Sequence, residues 1–563
     1  MDADMRWLKS YPDDVKWNAS LNPGPVCSVL DRSVEAHPDK PALDFFGCKL
    51  SYRQLGNLVD RAAAGLQSLG VKPGVHVGLY LPNTPHYYIA FFGVLRAGGT
   101  VVNYSPLDAE RTLEHKIEDS ETDVMVTLDL AAFYPKMVSL RERTRLKTLI
   151  IGGLDDFCDS LTAEQAQLLG PTAEVVTDSG CLRFSDLLDN QGDYNAYPVL
   201  DPASELAVLQ YTGGTTGAPK GAMLTHANLT SACAQLEVIL AGALEPGQER
   251  VLAVLPPFHI YALTVNMMFG LSMAAEIYLH PRFDLEAALR EISESRITTF
   301  PGVPTMFIAL LSHPSTGNYD LTSLRFCNSG GAPLPVEVQQ RYSRLAGCDL
   351  KEGWGMTETT ATGTFSPRDA DPRPGSCGIP MPGTRVRIAP LDGSAGSVPA
   401  GERGEVCIAG PNIMRGYWKR DDATAEAMTD DGFLRTGDVG YMDDDGYVFI
   451  VDRTKDMILC SGYNVYPRVI EEAIYEMPCV EEVSVIGVDD PYRGQAPKAF
   501  IKLKAGSDPL DFETLQAFLE TRLGKHERLQ SMEVRDALPR TPVGKLSKKE
   551  LYEEERLRQQ ACA

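Results

Sequence analysis

The chain has 563 residues, too many for one hydrophobic core at about 100–200 residues per domain. Hydrophobic and charged fractions of 44% and 23% are those of an ordinary globular protein and exclude a disordered or fibrous chain. A formal net charge of −23, with Lys545-Leu546-Ser547-Lys548-Lys549 the one dense basic stretch, argues against a nucleic-acid partner.

In chain order, Met1 to Pro12 lacks the apolar run of a secretory leader. Its Trp7, Leu8 and Tyr11 leave peripheral membrane contact open. Val75–Leu81 predicts a strand stopped by Pro82, and Tyr87–Ala97 a helix ended by Gly98-Gly99. Thr122–Thr127, Thr148–Ile151, Val251–Leu255, Thr298–Phe300 and Leu324–Asn328 are further strands. Such apolar runs between helices read as parallel sheets covered on both faces. Ile260–Leu279 is long enough to span a bilayer, but Asn266, Ser272 and Glu276 interrupt it, so it reads as a buried helix and strand. Near residue 380 the texture changes: Arg385–Ile388, Gly404–Gly410 and Tyr447–Val451 look like half-exposed antiparallel strands. Beyond Asp452 come a helix opened by Pro467, strands over Val483–Val488 and Lys498–Lys504, and a helix over Phe512–Leu523. The expected division is 1–452 and 453–563, joined at Asp452–Asp456. The 12 cysteines are scattered without any C-x-x-C, which argues against a zinc site or a disulfide scaffold. Read as unpaired, they fit a cytoplasmic protein.

Five segments carry chemistry. Thr212, Gly213, Gly214, Thr215, Thr216 and Gly217 form a Gly/Thr loop that ends in Lys220 and follows a strand-like run. Backbone N–H groups, hydroxyls and a mobile ammonium suit polyphosphate, which points to ATP. Pro219 before Lys220 and Gly221 after it rule out a Walker A motif. Gly330, Gly331 and Ala332 follow a strand and let a flat ring lie against backbone. Glu352, Gly353, Trp354, Gly355, Met356, Thr357 and Glu358 put a hydroxyl for phosphate and a carboxylate for Mg²⁺ after an aromatic. Asp438, in a turn, can accept from both ribose hydroxyls. Lys545 ends a Pro/Gly-stiffened loop and can neutralise a carboxylate attacking the α-phosphate. Taken singly, each also fits a commonplace feature: a flexible loop, a strand–turn–helix joint, a solvated acid, an Asx turn or a surface lysine.

Together, in this order and from about Leu50 to Lys545, these segments resemble the acyl-adenylate-forming superfamily of acyl-CoA synthetases, luciferases and peptide-synthetase adenylation domains. Gly416-Tyr417-Trp418, Asp452–Asp456 and Ser461-Gly462-Tyr463-Asn464 belong to the same resemblance. The resemblance implies an α/β fold: two flavodoxin-like sheet subdomains and a distorted barrel, then a small mobile α+β domain. It also implies that Arg453 lies near ribose and phosphate, that Lys455 is the hinge, and that Gly462 lines a pantetheine tunnel after rotation. ATP, Mg²⁺ and coenzyme A are the implied cofactors and a small carboxylic acid the partner, with a monomer or homodimer both open. Pro256–Asn266 is similar to bacterial medium- and long-chain fatty acyl-CoA synthetases, and His259 resembles the residue near the acyl carboxylate; a structural histidine is the other reading. An aryl-acid or short-chain ligase is the main alternative, and a luciferase-like oxygenase a further one.

Overall fold

The computed structural model describes residues 5–158, 161–199, 201–212, 219–460, 463–490, 492–541 and 545–562. Two large sheets form the bulk of the molecule. The first has seven strands in the order Cys181–Arg183, Thr148–Gly152, Thr122–Leu128, His76–Leu79, Thr100–Asn103, Leu206–Tyr211 and Gly221–Thr225. All pair in parallel except the last, which folds back on Leu206–Tyr211 with Tyr211 opposite Gly221. The second has nine strands, with a parallel core running Leu350–Trp354, Phe326–Ser329, Thr299–Gly302, Arg250–Ala253, Glu276–Leu279 and Pro41–Phe45. These strands are buried nearly throughout, which is why they read in sequence as unbroken apolar runs.

The interrupted apolar stretch folds as expected for a core. Ala262–Phe269 is a π-helix with every residue buried, and Glu276–Leu279 is a buried strand. Among the described residues no helix is long and apolar enough to cross a membrane. Trp7 is buried against Gly446, and the Tyr11 hydroxyl donates to Pro380 O at 2.5 Å. These two aromatics therefore pin the N-terminal segment to the large domain instead of facing outward; Leu8 remains exposed.

The change of texture near residue 380 marks a four-stranded antiparallel sheet, Arg385–Ala389, Gly404–Ala409, Leu434–Met442 and Val448–Arg453. After it a smaller α+β domain is built on the hairpin of Val480–Asp490 and Gly494–Leu503. Pro467–Tyr475 packs on that sheet through Ile470, Ala473 and Ile474, within a hydrophobic cluster separate from the main core.

One cysteine expectation is corrected. Cys48 and Cys158 form a disulfide across 110 residues. Nothing in their spacing signals it, because the two positions meet only where the second sheet's edge hairpin reaches the first sheet's loops.

Candidate active site

The parallel strands of both sheets end at one cleft. In the second sheet Arg250–Ala253 is the strand from which the order runs both ways, the position where open α/β sheets bind ligands beyond their carboxyl ends. The chain leaving it is Pro256-Pro257-Phe258-His259. In the first sheet Leu206–Tyr211 leads into the Gly/Thr loop. A buried hydrogen-bond chain ties the two exits together. The Tyr87 hydroxyl lies 2.8 Å from Asn103 Oδ1 and 2.9 Å from Pro257 O, which share its one proton; Asn103 Nδ2 donates to Gln210 Oε1 (2.8 Å), and Gln210 Nε2 to Phe258 O (2.8 Å). Buried amides bonded to one another and to backbone carbonyls favour one arrangement.

Gly213, Gly214, Thr215, Thr216 and Gly217 lie outside the described residues, but the loop's base is defined. Thr212 N donates to Lys220 O at 2.9 Å, closing a hairpin. Lys220 Nζ sits 4.9 Å from the Tyr417 ring centre. The Tyr417 hydroxyl donates to Glu358 Oε1 at 2.7 Å. One tyrosine thus links the phosphate-loop lysine to the expected metal carboxylate, a role the sequence did not assign to it. Burial pushes Glu358 upward, while Tyr417 and the nearby Arg453 cation oppose the shift. A divalent cation would favour its ionised form. The buried Glu358 carboxylate offers the hard oxygen donor that Mg²⁺ takes together with phosphate oxygens.

Thr357, Glu358 and Thr359 form a single 3₁₀ turn, followed by Thr360 and Ala361 at φ 52° and 71°. Gly355 permits the tight return: a Cβ there would lie 2.1 Å from Ala361 O. Met356 and Gly353 flank this turn half-buried, whereas Glu352 faces inward and burial raises it to about 7. Trp354 Nε1 donates to Asp438 Oδ2 at 2.8 Å, and Arg453 Nε pairs with Asp438 Oδ1 at 3.1 Å. Asp438 is buried, and desolvation raises it against the pull of Arg453.

Lys545 comes from the small domain, yet lies against Gly331 of the large one. A Cβ on Gly331 would stand 2.8 Å from Lys545 Cε and 2.9 Å from Nζ, and Gly331 has φ +79°. Ala332, the next residue of that turn, is half-exposed. Burial and the Arg453 cation lower Lys545 to about 8, partly opposed by Asp438. The backbone N–H of Tyr261 donates to His259 Nδ1 at 3.2 Å, and burial with the Lys545 charge drives His259 down to about 3. His259 is therefore neutral near pH 7. At the end of Phe326–Ser329, Asn328 Nδ2 and Ser329 Oγ are buried without a protein partner among the described residues. Unpartnered polar atoms at strand ends beside a glycine turn are what a bound polar ligand would satisfy. Lys455 lies exposed in the turn after Val448–Arg453, and Gly462 falls outside the described residues.

Comparison with known proteins shows the family. The family model described as AMP-binding enzyme matches residues 30–418, and the AMP-binding enzyme C-terminal domain matches 469–545. A long-chain-fatty-acid–CoA ligase of Bacillus subtilis (strain 168) is 38% identical over 99% of both chains. A feruloyl-CoA synthase of an Amycolatopsis species is 35% identical over 95% of this chain and 99% of its own. The crystal structure of ATP-bound MatB from Rhodopseudomonas palustris superposes with a TM-score of 0.82 at 28% identity, covering 94% of this chain and 99% of that one.

Proposed function

The chain belongs to the AMP-binding enzyme family, and we propose that it activates a long-chain fatty acid with ATP to an acyl-adenylate, then transfers the acyl group to coenzyme A, releasing AMP and pyrophosphate. It is an AMP-forming acid–thiol ligase.

The observation that carries this reading is the Lys545 ammonium of the small domain seated at Gly331, with Asp438, Arg453 and His259 around it. In the first step two anions must meet, so positioned positive charge is the main need. Lys545 neutralises the attacking carboxylate and the α-phosphate. Thr212 and Lys220 hold the distal phosphates, Thr357 donates to phosphate, and Asp438, oriented by Trp354 and Arg453, accepts from the ribose hydroxyls. Glu358, braced by Tyr417, would hold Mg²⁺, which supplies charge to the phosphate oxygens when bound. Neutral His259 lies beside the acyl carboxylate without adding a competing proton. The second step needs Lys545 withdrawn. The small domain, taken as 453–563, turns about Lys455 and brings Gly462 to the cleft.

The choice of a long alkyl acid rests on the B. subtilis relative and on buried apolar residues beside His259 and Gly331, such as Ile260 and Val303, since burial suits alkyl chains at about 0.8 kcal/mol per CH₂. The feruloyl-CoA synthase keeps an aryl acid as the second reading. AMP formation with CoA across acids from C2 to C18 and substituted benzoates decides between them. Turnover should peak at long alkyl acids; turnover confined to aryl acids would overturn the assignment.

A further inference from the structure

The strands Phe326–Ser329 and Leu350–Trp354 carry nucleotide-cleft segments at their C-terminal ends. Their N-terminal ends do something else. Cys327, on the first strand, and Cys348, two residues before the second, place their sulfurs 3.6 Å apart. Leu350 is the register partner of Cys327, so the two backbones are already neighbours. Cys327 is fully buried beneath Tyr342, whose hydroxyl is 3.7 Å from its sulfur. Cys348 is only partly buried and lines a cavity of about 530 Å³.

That cavity is unusual for a chain of net charge −23, because Arg325, Arg344, Lys351 and Arg368 all line it, against Asp349 as the carboxylate. Arg325 is paired with Glu249, Lys351 with Asp349, and Arg368 with Asp14 and Asp369. Arg368 Nη1 is nevertheless buried without a hydrogen-bond partner among the described residues. Asp349, the charge that acts on Cys348, opposes its thiolate, the reactive form of cysteine, so reactivity rests on the contact with Cys327 and the opening onto the cavity.

We propose that Cys327 and Cys348 form a peroxide-reactive dithiol, with Cys348 the residue that peroxide reaches through the cavity and Cys327 the residue that resolves it. The Cys348 thiolate attacks a peroxide oxygen; the O–O bond breaks, an S–O bond forms, and water or an alcohol leaves after protonation. The Cys327 sulfur then displaces the hydroxyl of the Cys348 sulfenic acid. An S–S bond forms, the S–O bond breaks, and the Cys327 proton departs with the hydroxyl as water. The 3.6 Å separation must close to about 2.05 Å for the bond to form. Hydrogen bonding to Cys327 holds Cys348 below its ordinary value, whereas burial pushes Cys27, Cys181, Cys233, Cys377 and Cys407 up. Selectivity follows from geometry, the partner sulfur at 3.6 Å and the opening of Cys348 onto the cavity, and the contrast runs the same way.

Hydrogen peroxide added in small excess to the folded full-length protein, followed by alkylation, digestion and mass spectrometry, tests the proposal. The expected product is a Cys327–Cys348 cross-linked peptide pair lighter by two hydrogens, resolved by mapping from the Cys48–Cys158 pair. In Cys327→Ser the sulfenic acid should instead persist on Cys348 and label with dimedone; in Cys348→Ser, Cys327 should stay unlabelled and alkylatable after denaturation. Retained ligase activity of each variant verifies its fold, and the wild-type cross-link decides the matter if a variant misfolds. Sulfinic acid on Cys348 without a cross-link, or oxidation of other thiols while this pair stays reduced, would overturn the proposal.

Discussion

Gly331→Ala probes the seating of the lysine directly. Two costs can be worked out. A non-glycine residue in the left-handed region, where Gly331 lies at φ +79°, costs about 1–2 kcal/mol. The new methyl would stand 2.8 Å from Lys545 Cε. Carbon atoms pack at about 3.5–4.0 Å, so the ammonium must retreat by roughly 1 Å. A misplacement of about 1 Å at reacting groups costs on the order of 10²-fold in rate. Acid-dependent ATP–pyrophosphate exchange should therefore fall about a hundredfold. The control is a double-mutant cycle with Lys545→Ala. If the methyl acts by displacing the ammonium, Gly331→Ala adds almost nothing to a chain already lacking it. Independent, multiplying losses would refute the reasoning, as would exchange unchanged in the single variant.

Two further outcomes follow from the same site. Lys545 is lowered to about 8, so its charge is present below that pH and lost above it; adenylate formation should decline above about pH 8 while thioester formation from supplied acyl-adenylate shows no matching limb. A shared limb, or a decline only near the ordinary lysine range, would contradict this. Trp354→Phe removes the 2.8 Å hydrogen bond to Asp438; bonds to charged groups contribute about 1.5–3 kcal/mol, so KM for ATP should rise roughly ten- to a hundredfold with kcat little changed, and an unaltered KM would count against the placement of the ribose site.

Much of this was legible from local pattern. Strands such as Thr122–Leu128 and Thr148–Gly152 show themselves because parallel strands buried on both faces are continuously apolar. The Trp354–Glu358 and Asp438 segments stood out because glycines beside hydroxyls and carboxylates are rare in ordinary core. What local pattern does not carry is pairing between distant residues. The hairpin Pro41–Phe45 and Cys48–Ser51 joins the second sheet beside Glu276–Leu279, more than 200 residues away, and no feature of either segment names the other. Tyr417 was visible only as part of a motif; its bond to Glu358 spans 59 residues. Asn103 and Gln210 look like ordinary strand polar residues until the fold places them between the two strand exits. The burial of Trp7 was equally hidden, since its partner Gly446 lies near the far end of the large domain. Lys545 was readable as a lysine on a stiff loop, but its position over Gly331 depends on how the small domain rests on the large one.

The two half-reactions of Lys545→Ala measure the central claim most directly. Adenylate formation from acid and ATP should fall roughly 10²–10³-fold, to the residual rate that the double-mutant cycle reads, while the same protein converts supplied acyl-adenylate and CoA to thioester at close to the wild-type rate. Equal loss of both, or a first half-reaction at its wild-type rate, would contradict a lysine that serves one orientation of the small domain and is withdrawn in the other.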